Sequence, residues 1–460
     1  MLIHLDSNKK EALYSQLYQA IKDQIHSGHL AAHQKLPSKR QLAKDLGISL
    51  NTVINAYDQL SLEGYLETRP RQGYFVADVR FQVQLASEQA SLTTSPSPSW
   101  RYDLTKAETD PSLFPFEIFR RLYTQRFDSQ SPDLLGPSSV QGLAPLRSSL
   151  ASYLATERGV PCQPDQLILG PNAQALFQIL VQLLPPNRRI GIEDPGYHAQ
   201  LPFLKEMGWQ VQACPLDQLG LSIEEIPLDQ LDILGVTPTH QFPTGSVMPL
   251  TRRQAILEWA RQSPNRWIIE DDYDSELRYY EKPVPALKSK DYPDRVIYLG
   301  TFSKILSPSF RMSYIVLPEQ FTDGFLEKFK LHNSTVNLIN QIALANVLSS
   351  GDYDRLVRKM NHIFKKRYEA FQDGFDSFQI PIKVSHNVSG QYFLVNFPTK
   401  INQSEMIKRA LDEGVKVYDT MQFWQDEAEC PHEHLFLGFS KIELEDIPDC
   451  MKRLKKAWDI

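Results

Sequence analysis

The chain has 460 residues, 42% hydrophobic and 23% charged, a composition with ample core material and a length that favours two or more domains. A formal net charge of −6 excludes a generally basic nucleic-acid coat, so any nucleic-acid contact must come from a few placed side chains. Cys162, Cys214, Cys430 and Cys450 have no metal-like spacing and read as reduced thiols. The amino-terminal MLIHLDSNKK turns charged too early for a signal peptide, and no apolar run approaches the ~20 residues of a membrane span. A cytoplasmic protein is expected.

In ALYSQLYQAIKDQIHSGHL, Leu13, Leu17, Ile21 and Ile25 line one face of a helix that Gly28 ends. PSKRQLAKDLG follows, with Ser38 as N-cap, Gln41 placed to complete a capping box and Gly47 at the C-terminal stop. A third helix starts at Ser49, carries Val53, Ala56, Tyr57 and Leu60 on one stripe, and stops at Gly64. Two capped helices joined by a short Gly-containing turn predict a helix-turn-helix, whose second helix would present Leu50, Asn51, Thr52 and Asn55 to a major groove. YLETRPRQGYFV then reads as two short strands around a turn holding Arg69, Arg71 and Gly73, a wing. A protein-binding three-helix domain shares this geometry. The caps and the basic wing together favour DNA.

On LPSKRQLA, SLNTVINAYDQLSLEGYL and QGYFV, residues 1–78 resemble the winged helix-turn-helix of the GntR family. The candidate DNA contacts are Ser38, Arg40, Leu50, Asn51, Thr52, Arg69, Arg71 and Gly73. The resemblance implies that Arg40 and Thr52 meet phosphates or base edges and that Gly73 lets the wing approach the backbone. Leu50 stands where the family usually has arginine, and Arg71 where the wing usually has glycine.

SEQASLTTSPSPSW, residues 87–100, breaks the globular texture with Ser, Thr and alternating Pro. Residues 79–110 are therefore expected to be a flexible linker. Such a chain of ~20–30 residues has a root-mean-square span of ~25–30 Å.

In residues 111–460, short apolar runs end in polar or Gly/Pro turns: LIL before GPNAQ, RIGI before EDPGYH, ILGV before TPTHQFPTG, RWII before EDDYDSE, VIYL before GTFSK. Helical patterns such as AQALFQILVQLL lie between them. This alternation predicts an α/β domain with a mostly parallel sheet and its ligand site at the carboxyl ends of the strands. A pyridoxal phosphate site needs an amine, a carboxylate for the ring nitrogen, a donor to the ring oxygen and a phosphate cup. Lys304 can supply the amine, Asp271 the carboxylate, Tyr273 the donor and Arg311 a bidentate fork. Thr301 and Ser303 add hydroxyls, Ala173 and Gln174 open a helix whose free amides favour an anion, and Tyr197 could lie against the ring. A lone Lys or strand-end Asp is ordinary surface chemistry or a cap. Their clustering at strand ends is what points to a site.

VTPTHQFPTG, IEDDYDSELRY and LGTFSKILSPSFRMSYIVLP make the large domain similar to a fold-type I aminotransferase. The two domains together resemble the MocR/GabR regulators. The resemblance implies Lys304 as the internal aldimine, with Asp271, Tyr273, Ser303 and Arg311 in the roles above. It also implies a head-to-tail homodimer in which each small domain packs near its partner's large domain. Phe242 replaces an Asn that enzymes aim at the ring oxygen, and Phe436 replaces an arginine that clamps a substrate carboxylate. Pro137 replaces a tyrosine that reaches the neighbouring phosphate, while Asn172 and Ser313 replace glycines. The expected protein is thus a promoter-binding regulator sensing pyridoxal phosphate, or an amine or amino acid. A working aminotransferase with an added DNA-binding domain and a cofactor-free dimerisation scaffold are the alternatives.

Overall fold

A computed structural model describes residues 3, 5–6, 11–78, 100–126, 136–280, 284–292, 294–378, 380–385, 389–398, 401–431 and 433–460. The chain separates into two compact units, Met1–Ser97 and Pro98–Ile460.

The small unit holds helices α1 (Leu13–His26), α2 (Lys39–Leu46) and α3 (Leu50–Leu62) and strands β1 (Leu66–Arg69) and β2 (Gly73–Val76). Leu17, Ile21, Leu42, Val53, Tyr57 and Leu60 converge on its buried core, the stripes that helical periodicity marks. Ser38 caps α2 by accepting the Gln41 amide at 3.2 Å, and Ser49 caps α3 by accepting the Thr52 amide at 3.1 Å. The expected capping box is only half formed, because the Gln41 side chain turns forward to Asp45 at 2.6 Å. In the wing, Arg69 pairs with Gly73, and Arg71 between them has φ +61°. That left-handed backbone explains why glycine is usual there; an L-residue held in it costs roughly 1–2 kcal/mol.

In the large unit the strands are β3 (Tyr102–Asp103), β4 (Leu167–Gly170), β5 (Arg189–Asp194), β6 (Gln210–Asp217), β7 (Gly220–Leu221), β8 (Ile233–Val236), β9 (Trp267–Asp272), β10 (Val296–Thr301) and β11 (Ser313–Val316). Further on come β12 (Lys383–Val384), β13 (Tyr392–Asn396), β14 (Val415–Lys416) and β15 (His434–Gly438). The main sheet has the order β4-β11-β10-β9-β8-β5-β6-β7, with β11 and β7 antiparallel to the rest. One face buries Ile190, Ile233, Ile269 and Leu299, the other Leu234, Val236, Ile268 and Val296. Apolar cover on both sides is what a mostly parallel sheet requires. β12, β13 and β15 form a smaller antiparallel sheet near the carboxyl end. No helix among the described residues is long and apolar enough to cross a membrane.

The expected linker boundary moves. Residues 79–99 lie outside the described residues, but 100–110 belong to the large unit. β3 pairs with β14, Tyr102 and Leu104 are buried, and Asp110 makes a buried ion pair with Arg367 at 2.8 Å. Two apolar residues just after a Ser/Pro-rich stretch give no periodicity to read, and their strand partner β14 lies more than 300 positions away.

Candidate functional site

A cleft lies over the carboxyl halves of β5, β8, β9 and β10, lined by Ala173, Gln174, Glu193, Tyr197, Thr237 and Asp271 among others. Asp271 falls inside β9 rather than just after it, and this fixes its direction. Side chains alternate along a strand, so Ile269 and Asp271 share the cleft face while Glu270 and Asp272 point the other way. Those two are satisfied: Glu270 accepts the Leu287 and Lys288 amides at 2.6 and 2.8 Å, and Asp272 pairs with Arg158 at 2.7 Å. Asp271 has no hydrogen bond or ion pair among the described residues. Burial pushes its carboxyl up to about 7, helped by Asp272, Asp274 and Glu193 and opposed by Lys304. A carboxylate in this position calls for a cationic hydrogen-bond donor, which a protonated pyridine provides.

This carboxyl also has a thermodynamic signature. An acid with a raised folded pKa binds its proton more readily folded than unfolded, so its stabilising contribution is present below its ordinary 3.8 and lost as pH climbs through about 7. Asp271→Asn is expected to flatten the fall in melting temperature of cofactor-free protein across that window. An unchanged slope would place the carboxyl in water.

Lys304 is half-buried, and its amine donates to the Ala107 carbonyl at 2.7 Å and sits 5.8 Å from the Tyr273 ring centroid. Burial lowers its proton affinity, while Asp274, Glu108 and Asp271 oppose that shift. Thr109 Oγ1 donates to the Ser303 and Lys304 carbonyls at 3.0 and 2.8 Å. Residues 105–110 thus form a strap across the lysine, fastened further by Ser440 Oγ to the Glu108 carbonyl and by the Lys441–Glu108 ion pair, both at 2.6 Å.

Thr301 Oγ1 donates to Ser303 Oγ at 3.1 Å and accepts from Ser313 Oγ at 2.8 Å, so the serine at the usual glycine position joins the hydroxyl chain. Ser313 pairs across the sheet with both Thr301 and Gly170, which brings this chain to the same sheet end as the start of helix Ala173–Leu183. Asn172 caps that helix, accepting the Ala175 amide at 2.7 Å. The Ala173 and Gln174 amides have no acceptor within the helix, as first-turn amides never do. Asn172 has φ −167°, ordinary extended backbone, so no strained turn is needed to accept it in place of glycine. Arg311 lies two residues before Ser313 in left-handed backbone at φ 54° and is exposed. Arg311, Thr301, Ser303, Tyr273 and Lys304 all lie outside the cleft lining, so of the expected cofactor residues only Ala173, Gln174, Tyr197 and Asp271 line it.

Tyr273 Oη lies 3.0 Å from both His240 Nδ1 and Tyr392 Oη. Tyr197 lines the cleft, half exposed, with its ring edge-on to Phe242 at 6.3 Å. Phe242 packs on Phe423 at 4.8 Å, and Phe436 stacks on Tyr392 at 4.7 Å. The two positions where enzymes carry polar or charged groups are therefore parts of one aromatic wall. Sequence reasoning missed Ala107, Thr109 and Tyr392. His240 and Asp274 stood inside quoted motifs, yet without a role.

In the small unit, Arg40 and Arg71 are exposed, as are Leu50 and Asn51 on the first turn of α3. Other candidates are already engaged. Ser38 serves as a cap, Thr52 Oγ1 lies 2.9 Å from Ser49 Oγ, and Arg69 pairs with Glu67 at 3.2 Å while lying 4.4 Å from the Phe75 centroid. Gly73 opens β2 with φ +110°, a backbone that favours glycine.

Fold and site together define a winged helix-turn-helix joined to a fold-type I aminotransferase domain. Residues 13–76 match the family described as bacterial regulatory proteins, gntR family, and residues 121–425 match aminotransferase class I and II. The chain is 35% identical to the uncharacterized HTH-type transcriptional regulator YdeL of Bacillus subtilis, over 97% of each chain. It is 31% identical to the probable rhizopine catabolism regulatory protein MocR of Rhizobium meliloti, over 99% of this chain and 96% of that one. It is also 31% identical to the HTH-type pyridoxine biosynthesis transcriptional regulator PdxR of Corynebacterium glutamicum, over 81% and 80%. A kynurenine aminotransferase of Pyrococcus horikoshii superposes with a TM-score of 0.70 at 25% identity, covering 79% of this chain and 91% of that one. The chain belongs to the MocR-type regulators of the GntR family: it is an HTH-type transcriptional regulator with an aminotransferase-like domain.

Proposed function

We propose that this regulator binds promoter DNA through its small unit and holds pyridoxal phosphate in the cleft of its large unit. Asp271 would take the ring nitrogen, Tyr273 the ring oxygen and Tyr197 the ring face. The Ala173 and Gln174 amides, Thr301, Ser303 and Arg311 would take the phosphate. The cofactor supplies an aldehyde that condenses with a lysine amine and releases water. The aromatic wall of Phe242 and Phe436 offers no charged fork for a carboxylate, which favours sensing over turnover. The signal is pyridoxal phosphate itself, or a small amine or amino acid that competes for Lys304. A cytoplasmic head-to-tail homodimer completes this reading.

The bond from Lys304 to Ala107 carries the sensing part of the proposal. Once condensed and proton-free, the Lys304 nitrogen has no hydrogen left to donate to that carbonyl, and the strap loses a fastening. Residues 105–110 continue in sequence, through β3 and then residues 79–99, to the DNA-binding unit. The state of one lysine is thereby written into the segment that leads to the promoter-binding unit.

A gel shift on the DNA upstream of this gene, with and without pyridoxal phosphate, tests both halves. The cofactor is expected to change promoter affinity. Arg40→Ala is expected to weaken binding about tenfold and to reduce the slope of affinity against salt by about one. Equal affinity in that variant would remove Arg40 from the interface, and equal affinity with and without cofactor would end the sensing reading.

A further inference from the structure

Behind Tyr273 lies a buried polar pair to which the reading above gives no task. His240 Nδ1 is 2.8 Å from Asp274 Oδ2 and 3.0 Å from Tyr273 Oη, while its Nε2 is buried without a hydrogen-bond partner among the described residues. A carboxylate only accepts, so the proton sits on Nδ1. The imidazole lies nearly parallel to the phenol ring, with centroids 5.9 Å apart and planes 25° apart. Room for it exists because residue 390 is glycine. At φ +83°, a Cβ there would stand 2.5 Å from His240 Cε1 and 3.0 Å from Asp274 Oδ2. An apolar side chain would fill this space without the cost of an orphaned ring nitrogen and a desolvated carboxylate.

We propose that the Asp274–His240 pair is a positioning device that directs the Tyr273 phenol proton into the cleft beside Lys304. The Nδ1 proton is shared between the Asp274 carboxylate and the phenol oxygen, and Tyr392 Oη is within reach of the same oxygen at 3.0 Å. Either hydroxyl of the Tyr273–Tyr392 pair can donate to the other; with Tyr392 as the donor, the Tyr273 oxygen accepts from behind and keeps its own proton to give forward. The groups facing Tyr273 are His240 after β8, Asp271 on β9, Asp274 after β9, Lys304 after β10 and Tyr392 on β13. Burial, then Asp274 and Tyr392, hold its pKa well above the ordinary phenol value, so it acts as a donor and not as a base. The acceptor this donor serves, a cofactor ring oxygen, rests on the proposed function.

The test follows the visible absorbance of the lysine-linked cofactor against pH. A donor to the ring oxygen favours the proton-free linkage, so losing the pair shifts the midpoint upward. His240→Gln and Asp274→Asn are each expected to raise it by roughly half to one pH unit, the size of one net hydrogen bond. In a Tyr273→Phe background, His240→Gln is expected to add no further shift. A wild-type midpoint in both single variants, or a full shift persisting without the phenol, overturns the proposal. If the His240 variant does not fold, Asp274→Asn decides in the same assay. Nitrogen NMR of the cofactor-free wild type supplies a readout independent of the cofactor: the His240 proton is expected on Nδ1, and an Nε2–H tautomer overturns the pair's role. Absence of any cofactor band in wild-type protein would instead strike the proposed function.

Discussion

Lys304→Ala is expected to abolish covalent retention of pyridoxal phosphate, read as loss of visible absorbance after desalting. Its second effect is more telling. The variant also deletes the donor to the Ala107 carbonyl, now bonded at 2.7 Å, so it reproduces the loosened strap without any cofactor. Promoter affinity is expected to sit at the wild-type loaded value and to stop responding to added pyridoxal phosphate. Hydrogen exchange across residues 105–110 is expected to quicken several-fold, since one net hydrogen bond is worth roughly 0.5–1.5 kcal/mol. If the strap exchanges as in unloaded wild type, the lysine and the linker are not coupled by this bond.

Gly438→Ala attacks the same fastening from the other side while leaving the lysine in place. A Cβ at Gly438 would run into the Lys106 carbonyl and stand 2.9 Å from the Ala107 amide nitrogen, and this is backbone that cannot swing aside. The bond from the Gly438 amide to the Leu104 carbonyl, 2.7 Å, lies at the same contact. Overpacking of this kind costs about 1–3 kcal/mol. The variant is expected to capture pyridoxal phosphate as wild type does, yet to show quickened exchange at 105–110 and a shifted promoter affinity before cofactor is added. Retained protection of the strap would show that it is held elsewhere. The two variants separate chemistry from transmission, because one removes the amine and the other only what the amine holds.

Local signals explain what was legible. Ser38, Gly47 and Ser49 announce helix boundaries through bonds that span a few residues, and the stripe Val53, Ala56, Tyr57, Leu60 follows from helical spacing alone. In the large unit, apolar runs ending in polar turns marked the carboxyl ends of β5, β8, β9 and β10, and with them Asp271 and Lys304. Errors fell where a residue's partner is distant or its rotamer is free. Gln41 had the spacing for a capping box but found Asp45. Tyr102 and Leu104 were assigned to a linker because nothing near them in sequence says what buries them.

From its sequence alone this protein is committed to two units, to a winged helix-turn-helix and a mostly parallel α/β sheet, and to an amine, a carboxylate and a phenol at strand ends. Those features depend on spacing within one helix or one strand, and such spacing survives in a linear string. Tertiary structure alone decided that Lys304 donates to a carbonyl 197 positions earlier, that Asp271 is the unpaired acid among Glu270, Asp271 and Asp272, and that His240 stands between Asp274 and Tyr273. Each of these is a contact between segments joined only by closing a long loop, and no local pattern records which distant group a side chain will meet.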